Sequence, residues 1–132
     1  MANDKSAARP LSPHLQIYRP MLTMMMSIMH RITGVGLYFG IVLLVWWLTA
    51  ASVSDSYFEF VQGFFGHWFG RLLLFGFTWA LIHHALGGLR HLLWDTGRGF
   101  DLNLIEWLAR ANLAGSIVLT LLLWVIGYGV MA

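Results

Sequence analysis

"ITGVGLYFGIVLLVWWLTAA", residues 32 to 51, runs for 20 positions without an Asp, Glu, Lys or Arg. At about 1.5 Å per residue, a helix of that length crosses about 30 Å of hydrocarbon. Two further uncharged stretches are of the same scale: Leu72 to Leu89, 18 residues, and Leu113 to Ala132, 20 residues. A soluble domain made from 132 residues has no interior able to hide three such segments at once. Composition agrees, with 58% hydrophobic residues, 11% charged and a mean hydropathy of +0.69. The sequence therefore reads as an all-α membrane protein with three transmembrane helices. It forms a single anchor domain, 1–132, with a surface leader over 1–20, helix I over about 21–51, helix II over about 64–94 and helix III over about 108–131.

The flanks orient these helices. Lys5, Arg9, Arg19 and Arg31 lie before or at the start of helix I, and Arg90, Arg98 and Arg110 surround the second loop. The first loop, "SVSDSYFEF", has no basic residue, and only Arg71 falls near the start of helix II. The positive-inside rule places the N-terminus in the cytoplasm and the C-terminus in the periplasm. Trp46, Trp47 and Trp68 then mark the outer interface, and Trp94 and Trp107 the inner one, whereas Trp79 and Trp124 fall deeper and read as helix packing or lipid contact. The leader "RPLSPHLQIYRP" has three prolines, which disfavour a continuous helix and suit an extended surface segment. The first apolar run begins too far from the N-terminus for a cleavable signal peptide, and the leader, with one Lys and few Ser, does not look like a mitochondrial transit sequence. A multi-pass protein of the bacterial inner membrane fits, with lipids and no nucleic acid around it.

The chain has no cysteine. That excludes a self-contained iron–sulfur cluster, a thiolate zinc site and covalent haem attachment. Any redox group must be held by His or Met, or by a partner chain.

Two polar clusters interrupt the apolar pattern. In "SIMHRITG", Ser27, His30 and Arg31 are related as i, i+3 and i+4, so a helix brings them toward one face at the inner interface. Arg31 there either snorkels as a boundary marker or joins its neighbours in binding a carbonyl- or carboxylate-bearing ligand. The nearby "MLTMMMSIM" serves as flexible packing at a helix end or as an adaptable wall for a ligand tail. In "HHALGGLRHLLWD", His84, Gly87/Gly88 and His91 follow one another along one face, with His84 about 10 Å deeper than His91. An imidazole at that depth needs a partner, and neutral imidazole is a ligand of haem iron. The glycines either clear space for a macrocycle or permit close helix packing. His83 points about 100° away and ranks second as a ligand. His30 is too shallow for the opposite axial position, His14 and His67 are on the surface or the other side, and His91 shares a helix with His84. A second axial ligand is therefore expected from another polypeptide.

"SPHLQIY", "SIMHRITG" and "HHALGGLRHLLWD", in that order, resemble the successive motifs of the cytochrome b subunits of succinate dehydrogenase, the larger membrane anchor of respiratory complex II. The resemblance runs from about Arg9 to the C-terminus. It implies a three-helix subunit within a larger helix bundle, with a second small anchor subunit, an iron–sulfur subunit and a flavoprotein subunit as partners. It implies that His84 is an axial ligand of haem b shared with the small anchor, that His30, Arg31 and His91 approach the haem propionates, and that Ser27 and Arg31 border the ubiquinone site. Ser27 would donate a hydrogen bond to a quinone carbonyl, and Arg31 would stabilise negative charge developing there. No residue of this chain would act on succinate itself. The alternatives are a fumarate reductase anchor working with menaquinone, a non-haem transporter or proton-relay subunit, and a purely structural anchor.

Overall fold

The computed structural model describes Pro10 and residues 12–131. Lys5 and Arg9, which contribute to the charge asymmetry, and Ala132 at the end of the third uncharged run lie outside the described residues. Five helices follow one another: α1 (Pro13–Ile17), α2 (Leu22–Val53), α3 (Asp55–Gly66), α4 (Trp68–Asp95) and α5 (Leu102–Met131). Among the described residues there is no strand, and α2, α4 and α5 are long and apolar enough to span a membrane. At 32 residues α2 is about 48 Å long, so it tilts or protrudes beyond the hydrocarbon.

The breaks between helices are specified locally. Pro13 opens α1 and Pro20 follows it, so the described part of the leader contains one short helix instead of remaining extended throughout. Ser54 adopts an extended backbone, ends α2 and caps α3 by accepting a hydrogen bond from the Tyr57 amide at 3.3 Å. His67 ends α3 and begins α4 in the same way, its Nδ1 accepting from the Phe69 amide at 3.5 Å. After α4 the chain turns through Gly97 and Gly99, at φ of 73° and 80°, where a side chain would be strained. The Asp101 carboxylate then accepts from the Asn103 and Leu104 amides, each at 3.1 Å, and starts α5.

These caps explain two departures from the expected boundaries. The first loop contains α3, and the second span begins at Trp68 because residues 64–66 belong to α3. The third helix starts at Leu102, six residues before the expected 108. An uncharged run marks what crosses hydrocarbon, whereas a helix continues into the interface wherever its caps allow; the Glu106–Arg110 pair at 2.6 Å links that extra stretch to the span that follows.

The central element is α4, packed on α2 along one side and on α5 along another, with α3 closing the end between α2 and α4. At that end Ala50, Val61 and Phe65 are buried beneath Trp46, Trp47, Tyr57 and Phe64. Trp46 Nε1 donates to the Tyr57 hydroxyl at 2.8 Å and Trp47 Nε1 to Gln62 Oε1 at 3.0 Å, so these indoles tie α2 to α3. Elsewhere the pattern of a soluble core is inverted. The buried face of α5 is Ala109, Asn112, Ser116 and Thr120, while Val118, Leu122 and Val125 face outward. Small and polar groups between helices with apolar groups outside are what hydrocarbon selects.

Candidate functional site

The seam between α2 and α4 carries the histidines. The rings of His30 and His84 stack with centroids 3.9 Å apart and planes within 7°. His91 lies tilted 5.1 Å from His30 and meets Trp94 edge-on, also at 5.1 Å. Two glycines permit the approach: a Cβ at Gly87 would sit 2.5 Å from His30 Nδ1, and one at Gly34 would sit 3.0 Å from His84 Cε1. Gly87 therefore makes room for an imidazole of the neighbouring helix, while Gly88 has open space beside it.

The contacts of His84 decide its tautomer. Its Nδ1 is 3.0 Å from the His30 carbonyl oxygen and 3.3 Å from Thr33 Oγ1. A carbonyl can only accept, so Nδ1 must carry the proton. The Thr33 hydroxyl donates to the Met29 and His30 carbonyls, at 2.9 and 3.0 Å, which leaves its lone pairs free to accept from the same Nδ1–H. In the neutral imidazole, His84 Nε2 then bears the lone pair. No side chain or backbone group within the described residues is bonded to it.

His83 has turned to the other seam, between α4 and α5. It is fully buried, packs on Trp79 at 5.0 Å and reaches Ser116 Oγ with Nδ1 at 3.1 Å. Its Nε2 is enclosed and unpaired within the described residues, as are Arg90 Nε and Asn112 Oδ1 on the same seam. Arg90 lies over the Trp94 ring at 5.2 Å. Of the two deeper indoles, Trp79 thus packs on His83, and Trp124 donates to Thr78 Oγ1 at 3.3 Å; both are packing residues.

The three polar residues expected to share a face diverge somewhat. His30 turns into α4, Ser27 is half-buried beside it, and Arg31 is exposed. Neither Ser27 nor Arg31 enters the hydrogen bonds that hold His84. His14 and His67 are exposed, on α1 and at the α3–α4 junction, away from the stacked pair. Sequence reasoning missed Thr33, although a hydroxyl residue three positions after His30 was the available signal. Among the described residues no three His, Asp or Glu side chains converge as a metal-ion site. The donor set suits one axial position on a group that brings its other ligands with it. A cleft of about 290 Å³, lined by Leu43, Trp47, Phe65, Leu73 and Phe77, lies at the α3 end, remote from the imidazoles.

This arrangement defines a three-span membrane subunit that keeps its polar chemistry on helix seams and exposes part of it to whatever packs alongside. The chain belongs to the succinate dehydrogenase/fumarate reductase transmembrane subunit family, whose profile matches residues 5–123. It is 46% identical over 122 residues to a succinate dehydrogenase cytochrome b556 subunit of Paracoccus denitrificans, covering 92% of this chain and 94% of the relative. It is 38% identical over 117 residues to the subunit of that name from Rickettsia conorii, covering 89% and 91%. A succinate dehydrogenase cytochrome b560 subunit of Marchantia polymorpha is 41% identical over 101 residues, covering 72% and 73%.

Proposed function

We propose that this multi-pass inner-membrane protein is the cytochrome b anchor of a succinate:ubiquinone oxidoreductase, sharing haem b with a second small anchor subunit and forming part of the site where ubiquinone is reduced. The names of its bacterial relatives support the assignment to succinate dehydrogenase. The observation that carries the haem reading is the state of His84: Nδ1–H is held by the His30 carbonyl and Nε2 is left free. That is the tautomer a metal-bound imidazole needs. His83, enclosed between α4 and α5, offers no comparable approach.

Bound there, haem would supply a one-electron carrier beside the quinone. The chain's own residues orient it. His84 would bind the iron through Nε2, with Thr33 and the His30 carbonyl fixing its ring, and His30, Arg31 and His91 would approach the propionates. The second ligand of the iron would come from the small anchor. Arg31 and Ser27 serve the quinone, the first as a fixed cation, the second as a hydrogen-bond donor to a carbonyl oxygen. Arg31 is exposed and Ser27 half-buried, which suits contact with a ligand or partner at the helix surface. Succinate oxidation belongs to flavoprotein and iron–sulfur partners, since a chain without cysteine cannot ligate the clusters through thiolates. The basic α4–α5 loop and the N-terminus face the cytoplasm, on the side where those partners dock.

Purification of the tagged complex in mild detergent, with a reduced-minus-oxidised visible spectrum, tests this. Haem b absorption together with a flavoprotein and an iron–sulfur protein is the expected result. Absence of haem favours the proton-relay or structural reading, and a complex that turns over only fumarate with menaquinone reverses the direction.

A further inference from the structure

We infer that Thr33 is a positioning residue that sets the electron-donating strength of the His84 imidazole, and hence the reduction potential of the group it binds; this rests on His84 being the haem ligand. Thr33 is 2% exposed, in the middle of the α2–α4 seam, where an unused hydroxyl would be costly. It is not idle. Its proton is directed to the Met29 and His30 carbonyls of its own helix, so the side of the oxygen facing α4 has only lone pairs to offer. His84 Nδ1 lies 3.3 Å from that oxygen and 3.0 Å from the His30 carbonyl, 51 and 54 residues away in sequence. The His84 N–H is thus shared between two acceptors.

Two consequences follow from chemistry. An N–H held by two acceptors has less freedom to rotate than one held by a single carbonyl, so the plane of the ring is fixed relative to α2. Each acceptor also draws the proton toward itself, which makes the imidazole a stronger donor through Nε2 and stabilises the oxidised form of a bound iron. Removal of Thr33 Oγ1 should move the potential upward. The isosteric pair Thr and Val separates the hydroxyl from its shape, and Ser retains the hydroxyl while giving up the methyl.

The test is a potentiometric titration of haem in the assembled, purified complex carrying Thr33→Val, Thr33→Ala or Thr33→Ser, followed optically with haem content measured in parallel. The expected result is a more positive potential in Val and Ala, with Ser close to the parent. If Val and Ala shed haem while Ser keeps it, the hydroxyl is needed to hold the ligand, and the inference stands through occupancy. Equal potentials in the parent, Val and Ala, a negative shift, or a shift in Ser as large as in Val would overturn it. A His84→Leu complex provides the separating control: retention of low-spin haem there defeats the ligand assignment itself, whereas its loss there with an unchanged Thr33→Val potential defeats only the role of Thr33.

Discussion

His83 and His84 are neighbours in the chain and occupy opposite kinds of seam. Both direct Nδ1 at the hydroxyl of an adjacent helix, Ser116 at 3.1 Å for His83 and Thr33 at 3.3 Å for His84. On the α4–α5 seam the imidazole is fully buried, its second nitrogen is sealed in, and Arg90 and Asn112 are enclosed with it. On the α2–α4 seam a backbone carbonyl adds a second acceptor, the ring stacks on His30, and the residue stays half-buried. Depth and residue type are the same for both. A rotation of about 100° about the helix axis decides which imidazole can be reached from outside the chain.

The most severe way to break this contrast is to exchange the losses. His84→Leu should remove haem or convert it to high spin, whereas His83→Leu should leave a low-spin spectrum; the opposite pattern would make the sealed seam the ligand seam. Next, Arg31→Leu should lower quinone-dependent turnover relative to artificial-acceptor turnover by roughly 10- to 150-fold, corresponding to about 1.5–3 kcal/mol for a charge-assisted contact. That ratio is read in membranes with equal assembled complex and equal haem, which separates quinone from propionate effects. An unchanged ratio would leave Arg31 as a marker of the membrane boundary.

Gly87→Ala sharpens the packing side of the comparison. Its Cβ would fall 2.5 Å from His30 Nδ1, an overpacking that should destabilise the complex by about 1–3 kcal/mol. A lower Tm in detergent is the readout, and an unaltered Tm would mean that the stacked pair yields freely. Smallest of all, Ser27→Ala should weaken quinone reduction by roughly 2- to 12-fold, from about 0.5–1.5 kcal/mol for one neutral hydrogen bond. Both quinone-site variants should still oxidise succinate with an acceptor that draws electrons before the membrane.

Sequence carried the three spans because hydrocarbon enforces uncharged runs, a constraint written residue by residue. It also carried the angular separation of His83 from His84, which is helix geometry. It did not reveal α3: "SVSDSYFEF" is short and mixed in polarity, and its helix depends on packing Val61 and Phe65 against Ala50. Ser54 followed by Asp55 was nevertheless a readable start signal. Which seam is open, and that Thr33 meets His84, follow from how whole helices pack; neither is encoded in any local window. The shared face expected for Ser27, His30 and Arg31 is kept only in part, because residues 30 and 31 are about 100° apart and packing against α4 draws in only the first.

The carbonyl of His30 has one more consequence. Because it belongs to the backbone of α2, the partner that fixes His84 is present as soon as two helices of a single chain have come together. Tautomer and ring orientation are then settled during folding, and the entropy lost in settling them is not charged against later binding. On the proposed reading, the chain would offer its share of a binding site already arranged, so cofactor capture and docking of a neighbouring subunit could follow as separate events, each completing a geometry that α2 and α4 have begun.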